Sequence, residues 1–68
     1  MKTYIVVYNK KEENFDSLEM VKYYLNYIIK DYGEHNTTIY CVDNFIKKEL
    51  TIEEVINLWE KFLLNTKL

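Results

Sequence analysis

Two side chains in this sequence are suited to nucleophilic and general-base chemistry, the single cysteine, Cys41, and the single histidine, His35. A cysteine nucleophile needs an adjacent base. His35 falls in a loop after Gly33, whereas Cys41 alternates with Ile39 on a strand and is typical of a small buried apolar residue. We therefore predict a non-catalytic protein. An oligomeric enzyme subunit, whose site is completed across a dimer by His35 or Cys41, is an alternative.

Metal and phosphate sites are not indicated either. A structural zinc site takes four ligands from cysteine and histidine, and this chain has one of each. The acidic residues Glu49, Glu53 and Glu54 suit the start of the last helix, where they complement its dipole. Gly33 is the only glycine, so a glycine-rich phosphate loop is excluded. We predict no cofactor and no metal.

Tyrosine is the residue type that stands out, with seven in 68 residues. Its stiff, amphipathic ring is enriched at protein interfaces. Four of the seven lie in residues 15–33, which carry a second apolar stripe besides the core-facing one. The candidate interface residues are Tyr23, Tyr27, Met20 and Tyr24 on that helix, and Tyr4, Tyr8 and Tyr40 on strands.

Residues 15–33 have the signals of a capped helix. Asp16 is the predicted N-cap, Glu19 completes a capping box with it, and Gly33 closes the helix. At 100° per residue, one side gathers a core-facing stripe. That stripe consists of Leu18, Val21, Leu25, Ile28, Ile29 and Tyr32.

The stripe of Met20, Tyr23, Tyr24 and Tyr27 lies on roughly the opposite side of this helix. An exposed stripe of methionine and aromatic residues indicates partner contact. The alternatives are lateral packing, with the last helix covering Tyr24 and also Met20, and exposure that is tolerated without a partner. Tyr23 and Tyr27 point outward under each interpretation.

Two further segments read as strands, residues 3–8 and 37–42, with residues 9–14 as a solvated connector. Strand, helix and strand in succession predict a parallel, adjacent pair. Residues 43–50 are ambiguous. A turn at Asp43-Asn44 would lead to a short third strand at 45–49, which we favour slightly, or one helical turn would form. The last helix follows a second capping box, Thr51 with Glu54, and runs to about residue 65.

The predicted fold class is a small α+β, two-layer β-α-β-(β)-α domain that occupies residues 1–68. Its two helices pack on one face of a two- or three-stranded sheet. If Ile5, Val7, Ile39 and Cys41 face the helices, an open face is lined by Tyr4, Val6, Tyr8, Tyr40 and Val42.

Tyrosines on an open sheet face have two functional interpretations and one structural one. Bases stack on such rings in RNA-recognition domains, and protein partners bind them. They also occur as half-buried strand residues with their hydroxyls in water. The chain has no arginine and a net charge of −2, which favours a protein partner over nucleic acid.

The resulting functional prediction is a small protein-interaction module that binds another protein or itself, as a possible homodimer. The N-terminal apolar run is five residues, too short for a signal peptide or a membrane span, so we expect the cytoplasm and no membrane partner. Size and composition suit an accessory or inhibitor protein of a phage or mobile element that binds a host protein. A single-stranded nucleic-acid binder using the tyrosine sheet face is the alternative.

Overall fold

The computed structural model describes residues 2–66, the side chains of residues 62, 65 and 66 excepted. Their elements, in order, are β1 (Lys2–Tyr8), β2 (Lys11–Phe15), α1 (Leu18–Tyr32), β3 (Thr37–Asp43), β4 (Ile46–Leu50) and α2 (Ile52–Thr66). The strands form one antiparallel sheet in the order β2-β1-β3-β4, with both helices packed on one face. The predicted α+β class is confirmed, with four strands in place of two or three.

Strand β2 is the element that the sequence did not indicate. It pairs with β1 across a two-residue turn, so that Tyr8 lies opposite Lys11. Asn9 and Lys10 in the turn have φ values of 45° and 61°. Positive φ at both central residues defines the type I′ turn that joins tight hairpins. Residues 9–14 are exposed, apart from the half-buried Glu13, but the prediction that they form only a connector is wrong.

Strands β1 and β3 are adjacent, as predicted, but they run antiparallel, with Lys2 opposite Asp43 and Tyr8 opposite Thr37. The parallel prediction is wrong because β2 reverses the chain before α1 begins. The two strands that α1 connects, β2 and β3, do run in the same direction, and β1 lies between them.

Strand β4 resolves the ambiguity of residues 43–50 in favour of a strand. The two-residue turn consists of Asn44 and Phe45, one residue later than predicted, with φ values of 51° and 69°. A left-handed φ is ordinary for asparagine but rare for a bulky residue such as phenylalanine.

Capping interactions define the ends of the helices. Ser17, and not Asp16, is the N-cap of α1, because its Oγ accepts a hydrogen bond from the Met20 N–H at 3.2 Å. Gly33 ends this helix at φ 88°, and its N–H donates to the Ile29 carbonyl at 2.8 Å. Few residues other than glycine accept this φ.

The second capping box is confirmed at the start of α2. The Glu54 N–H donates to Thr51 Oγ1, and the Thr51 N–H donates to Glu54 Oε1, both at 3.0 Å. Two backbone N–H groups that the helix leaves unpaired are satisfied in this way.

The core lies between the helices and one face of the sheet. Its buried residues are Tyr4, Val6, Phe15, Val21, Leu25, Ile28, Ile39, Leu50 and Val55. Tyr4 pairs with Cys41 and Val6 with Ile39, so these four side chains share the helix-covered face. The predicted side of β1 is wrong by one residue, which moves every side chain of a strand to the other face.

The opposite side of the sheet, which we call the open face, has an apolar centre and polar edges. Its centre consists of Ile5, Val7, Tyr40 and Val42, all half-buried. Its edges carry Glu12 and Asn14 on β2, Lys47 and Glu49 on β4, and Thr3 and Thr38 at the strand ends.

Candidate interaction surface

Helix α1 positions the candidate residues by burying one side. Val21, Leu25 and Ile28 are buried against the sheet at i, i+4 and i+7. A helix of 3.6 residues per turn then points the residues between these positions toward solvent. The outward side of α1 is thus set by how it packs on the sheet.

Four residues form the exposed stripe, which we call the α1 aromatic surface: Met20, Tyr23, Tyr24 and Tyr27. Their side chains are 45%, 58%, 40% and 56% exposed, respectively. The outward placement of Tyr23 and Tyr27 is therefore confirmed. Charged and polar side chains ordinarily occupy this side of a surface helix.

The contact of Tyr24 differs from the lateral-packing prediction, in which the last helix covered it. Its ring packs on Phe15 of β2, with centroids 5.5 Å apart. The α2 side of α1 instead forms a groove lined by Tyr23, Asn26 and Trp59. Tyr24 therefore faces the β2 edge of the sheet.

The rings of the surface contact one another. Tyr23 packs edge-on against Tyr24 at 5.4 Å and tilted against Tyr27 at 5.5 Å between centroids. With Phe15 behind Tyr24, four rings form a continuous chain. Edge-to-face and tilted pairs of this kind are favourable, and they restrict the rotamers of the exposed rings.

The hydroxyl groups of Tyr23 and Tyr27 interact with each other. A hydrogen bond with Tyr23 raises the pKa of Tyr27, and the Coulombic effect of Tyr23 and desolvation raise it further. The surface thus presents hydroxyl groups that donate and accept hydrogen bonds. An apolar ring with such a polar tip suits a contact that is dry in its centre and polar at its rim.

Charged side chains flank the surface on both sides. Glu19 and Lys22 line the groove toward α2. Glu13 and Asp31 line the groove toward β2, which also contains Tyr32. The α1 aromatic surface is therefore a ridge between two grooves with a mixed, partly acidic rim.

The three strand tyrosines do not lie together. Tyr4 is 8% exposed and belongs to the core, and Tyr8 lies on the same helix-covered face. The Tyr8 ring packs on Tyr32 at 5.1 Å, and its hydroxyl donates to Glu13. That hydrogen bond, aided by desolvation, raises the pKa of Tyr8 to about 12. The predicted place of Tyr4 and Tyr8 on an open face is therefore wrong.

Tyr40 is the strand tyrosine that does lie on the open face. The Lys47 ammonium group is 4.3 Å from its ring centroid, a cation–π contact. A stacking platform of three tyrosines is therefore not formed on this sheet.

The two residues with potential for nucleophilic chemistry are separated. His35 lies in a short turn before β3 and is exposed, whereas Cys41 is the fifth residue of that strand, about 13 Å beyond its start. Cys41 lines a cavity of about 380 Å³ together with Lys2 and Asp43. Within residues 2–66, no group of three or more histidine, cysteine, aspartate and glutamate side chains is arranged to hold a metal ion.

The tip of the β3–β4 hairpin exposes apolar residues that were not among the sequence candidates. Phe45 and Ile46 lie at the tip of the β3–β4 hairpin, and the Phe45 side chain is 102% exposed. Nothing in the hydrophobic pattern marked them, because their exposure follows from the position of the turn.

Comparison with known proteins found no matching family model, no matching curated protein and no matching solved structure. Neither helix in the described part of the chain is long and apolar enough to cross a bilayer.

Proposed function

We propose that this chain is a non-catalytic protein-interaction module that binds a protein partner through the α1 aromatic surface. The observation that carries the proposal is the exposure of Tyr23 and Tyr27, each more than half exposed on a helix whose other side is buried. Tyrosine is among the residue types that contribute most to binding energy at protein interfaces.

The arrangement of the rings favours tight contact. Tyr23 contacts both Tyr24 and Tyr27, so the surface is ordered before a partner arrives. Ordering an exposed side chain on binding costs roughly 0.5–1.5 kcal/mol. A surface whose rings are already held by one another loses less of that free energy.

The charges around the surface favour a protein over a nucleic acid. Glu19 lies on one flank, and Glu13 and Asp31 lie on the other. Carboxylates repel phosphate groups, and nucleic-acid sites are instead rich in lysine and arginine. A protein rim with mixed charges accommodates these groups.

The proposal extends to biological role on the basis of size and composition. A chain of 68 residues with seven tyrosines and no arginine suits a phage or mobile-element protein that inhibits or assists a host protein in the cytoplasm. Such a role needs a binding surface and no chemistry of its own.

Paired affinity capture from the cells that contain this protein tests the proposal. The baits are the wild-type chain, the double variant Tyr23→Ala/Tyr27→Ala, and the control Phe45→Ala/Ile46→Ala, which removes exposed apolar side chains from another surface. We expect a partner that the wild type and the control retain and that the α1 variant loses by tenfold or more. Circular dichroism checks that all three chains fold.

Equal capture of every protein by the three baits would contradict the proposal. Titration with single-stranded oligonucleotides at low salt, where electrostatic binding is strongest, tests the alternative directly. Binding there that Tyr40→Ala weakens and Tyr23→Ala leaves unchanged would favour the nucleic-acid function instead.

A further inference from the structure

The open face of the sheet is apolar where a solvated face should be polar. Antiparallel sheets with one covered face alternate apolar residues inward and polar residues outward. Here Ile5 and Val7 of β1, and Tyr40 and Val42 of β3, occupy the centre of the uncovered side. Within residues 2–66 both helices pack on the other side, so this centre has no cover from the described chain.

The edges of the sheet are protected against strand addition, unlike its open face. Edge strand β2 has the sequence KEENF and edge strand β4 has IKKEL. Charged side chains along an edge strand oppose pairing with another strand. An additional layer would therefore pack on the open face.

Three charged residues lie on that face: Glu12 and Lys47, of opposite sign, at opposite corners, and Glu49 in the middle of the β4 edge. The register places Glu12 of β2 beside Val7, and Lys47 of β4 beside Val42. Three strand spacings make the face about 14 Å wide, and the four-residue step from Thr3 to Val7 makes it about 13 Å long. The face is thus nearly square, with Glu12 and Lys47 at the ends of one diagonal.

We propose that the open face is covered by the open face of a second copy of this chain. A twofold axis between the two faces, parallel to the other diagonal, exchanges the Glu12 corner with the Lys47 corner. Each Glu12 then faces Lys47 of the other copy, whose ammonium group turns from its own Tyr40 ring toward the partner, and this contact forms twice. The strands of the two sheets cross at nearly right angles, one of the two known ways in which sheets pack.

The same operation joins the apolar centres. Ile5 and Tyr40 are cross-strand neighbours in the middle row of the face. They lie near the axis and meet their own counterparts in the second copy. Both halves of the charge match are present on one face, which makes this surface complementary to itself, as a twofold interface requires.

This dimer is independent of the proposed function, because the α1 aromatic surface lies on the other side of the sheet. The two copies would present two such surfaces facing away from each other. A partner with two binding sites would then be bound more tightly than by a single copy.

Sedimentation equilibrium of the full chain, at about 100 mM and at about 1 M salt, tests the dimer. We expect a wild-type dimer at low salt. Glu12→Lys and Lys47→Glu each place like charges together twice, and each should raise the dissociation constant by about tenfold or more. Salt at 1 M shortens the screening length to about 3 Å and should shrink these differences.

Mixing the Glu12→Lys and Lys47→Glu chains tests the charge pairing across the twofold axis most directly. In a one-to-one mixture, the lysine at position 12 of the Glu12→Lys chain faces the glutamate at position 47 of the Lys47→Glu chain across the axis. The unchanged Lys47 of the first chain faces the unchanged Glu12 of the second, so both contacts are attractive. A heterodimer should form from two chains that are separately monomeric. Lys48→Glu is the matched control, since Lys48 lies on the helix-covered side of β4, and it should leave the dimer intact.

Three results would overturn the proposal. They are a wild-type chain that stays monomeric at concentrations of about 100 μM, a dimer that neither charge reversal weakens, and a mixture of the variants that fails to associate. Circular dichroism of each variant separates lost association from lost folding. Tyr23→Ala/Tyr27→Ala should not change the association state, so a failure of this dimer is distinguishable from a failure of the proposed function.

Discussion

Replacing Phe45 with glycine should stabilise the protein. Phe45 is the second residue of the β3–β4 turn, with a φ of 69°, and its side chain is 102% exposed. A left-handed conformation costs a residue with a Cβ roughly 1–2 kcal/mol, which glycine avoids. Because the ring contributes no burial, its removal loses no apolar contact, and Asn-Gly is the favoured sequence for this turn.

The expected gain is smaller than the strain alone, because glycine loses more conformational entropy on folding, roughly 0.5–1 kcal/mol. The net change in the free energy of unfolding lies between about 0 and 1.5 kcal/mol in favour of Phe45→Gly, with a midpoint of about 0.75 kcal/mol. For a domain of this size, the midpoint corresponds to a rise in Tm of about 3 to 6 °C. Thermal and urea unfolding followed by circular dichroism measure it.

Two companion variants isolate the cause. Phe45→Ala removes the ring but keeps the Cβ, so its stability should stay close to that of the wild type. Lys10→Gly relieves the same strain in the β1–β2 turn, where φ is 61°, and should stabilise by a similar amount. If Phe45→Gly destabilises the chain, or if Phe45→Ala stabilises it equally, backbone strain at this turn is not the explanation.

Three further predictions concern named hydrogen bonds. Thr51→Ala removes the acceptor of the α2 capping box and should lower the free energy of unfolding by about 1 kcal/mol, measured by urea unfolding. The hydrogen bond from the Thr51 backbone lowers the pKa of Glu54. The stabilisation of the fold by the Glu54 carboxylate is therefore present above pH 4.5 and is lost as the pH falls through the lowered pKa. Glu54→Gln should make the free energy of unfolding less dependent on pH in this acidic range. The hydrogen bond to Glu13 raises the pKa of Tyr8 from 10.0 to about 12. The stabilisation of the fold by the neutral Tyr8 hydroxyl is therefore fully present below pH 10 and is lost between pH 10 and 12. Tyr8→Phe should reduce this decline, and an unchanged alkaline transition would contradict the assignment.

The helical part of the candidate site was predictable because 3.6-residue periodicity has a clear direction on α1. Val21, Leu25 and Ile28 define the buried side, and Tyr23 and Tyr27 follow as the outward residues. Each interpretation of the α1 stripe placed these two tyrosines on the outward side of the helix. Only the neighbour of Tyr24 was wrong, since it depended on which element lies beside α1.

The strand part of the site was not predictable from β1 alone. Both of its sides are apolar, so a period of two residues does not indicate which side faces the helices. The register with β3 decides, and it places Tyr4 and Tyr8 on the covered side. The antiparallel direction of that pairing follows from β2, whose turn uses Asn9 and Lys10 without the glycine that usually identifies a type I′ hairpin.

The fold class depended less on these details. Two capped helices and two or more strands in 68 residues have one common solution, a sheet with both helices on one face. Missing β2 changed the strand number and direction but kept that arrangement. What the sequence could not supply was the set of long-range pairings that decides which face is open.

Site-specific photo-crosslinking tests the central claim most directly. A photoreactive phenylalanine analogue replaces Tyr27 in one chain and Asn57, an exposed α2 residue, in another, and both are irradiated in the cells that contain this protein. We expect one covalent protein adduct from the Tyr27 position that is absent from the Asn57 position and is lost when Tyr23→Ala is added. The same adducts from both positions, or none from Tyr27, would contradict it.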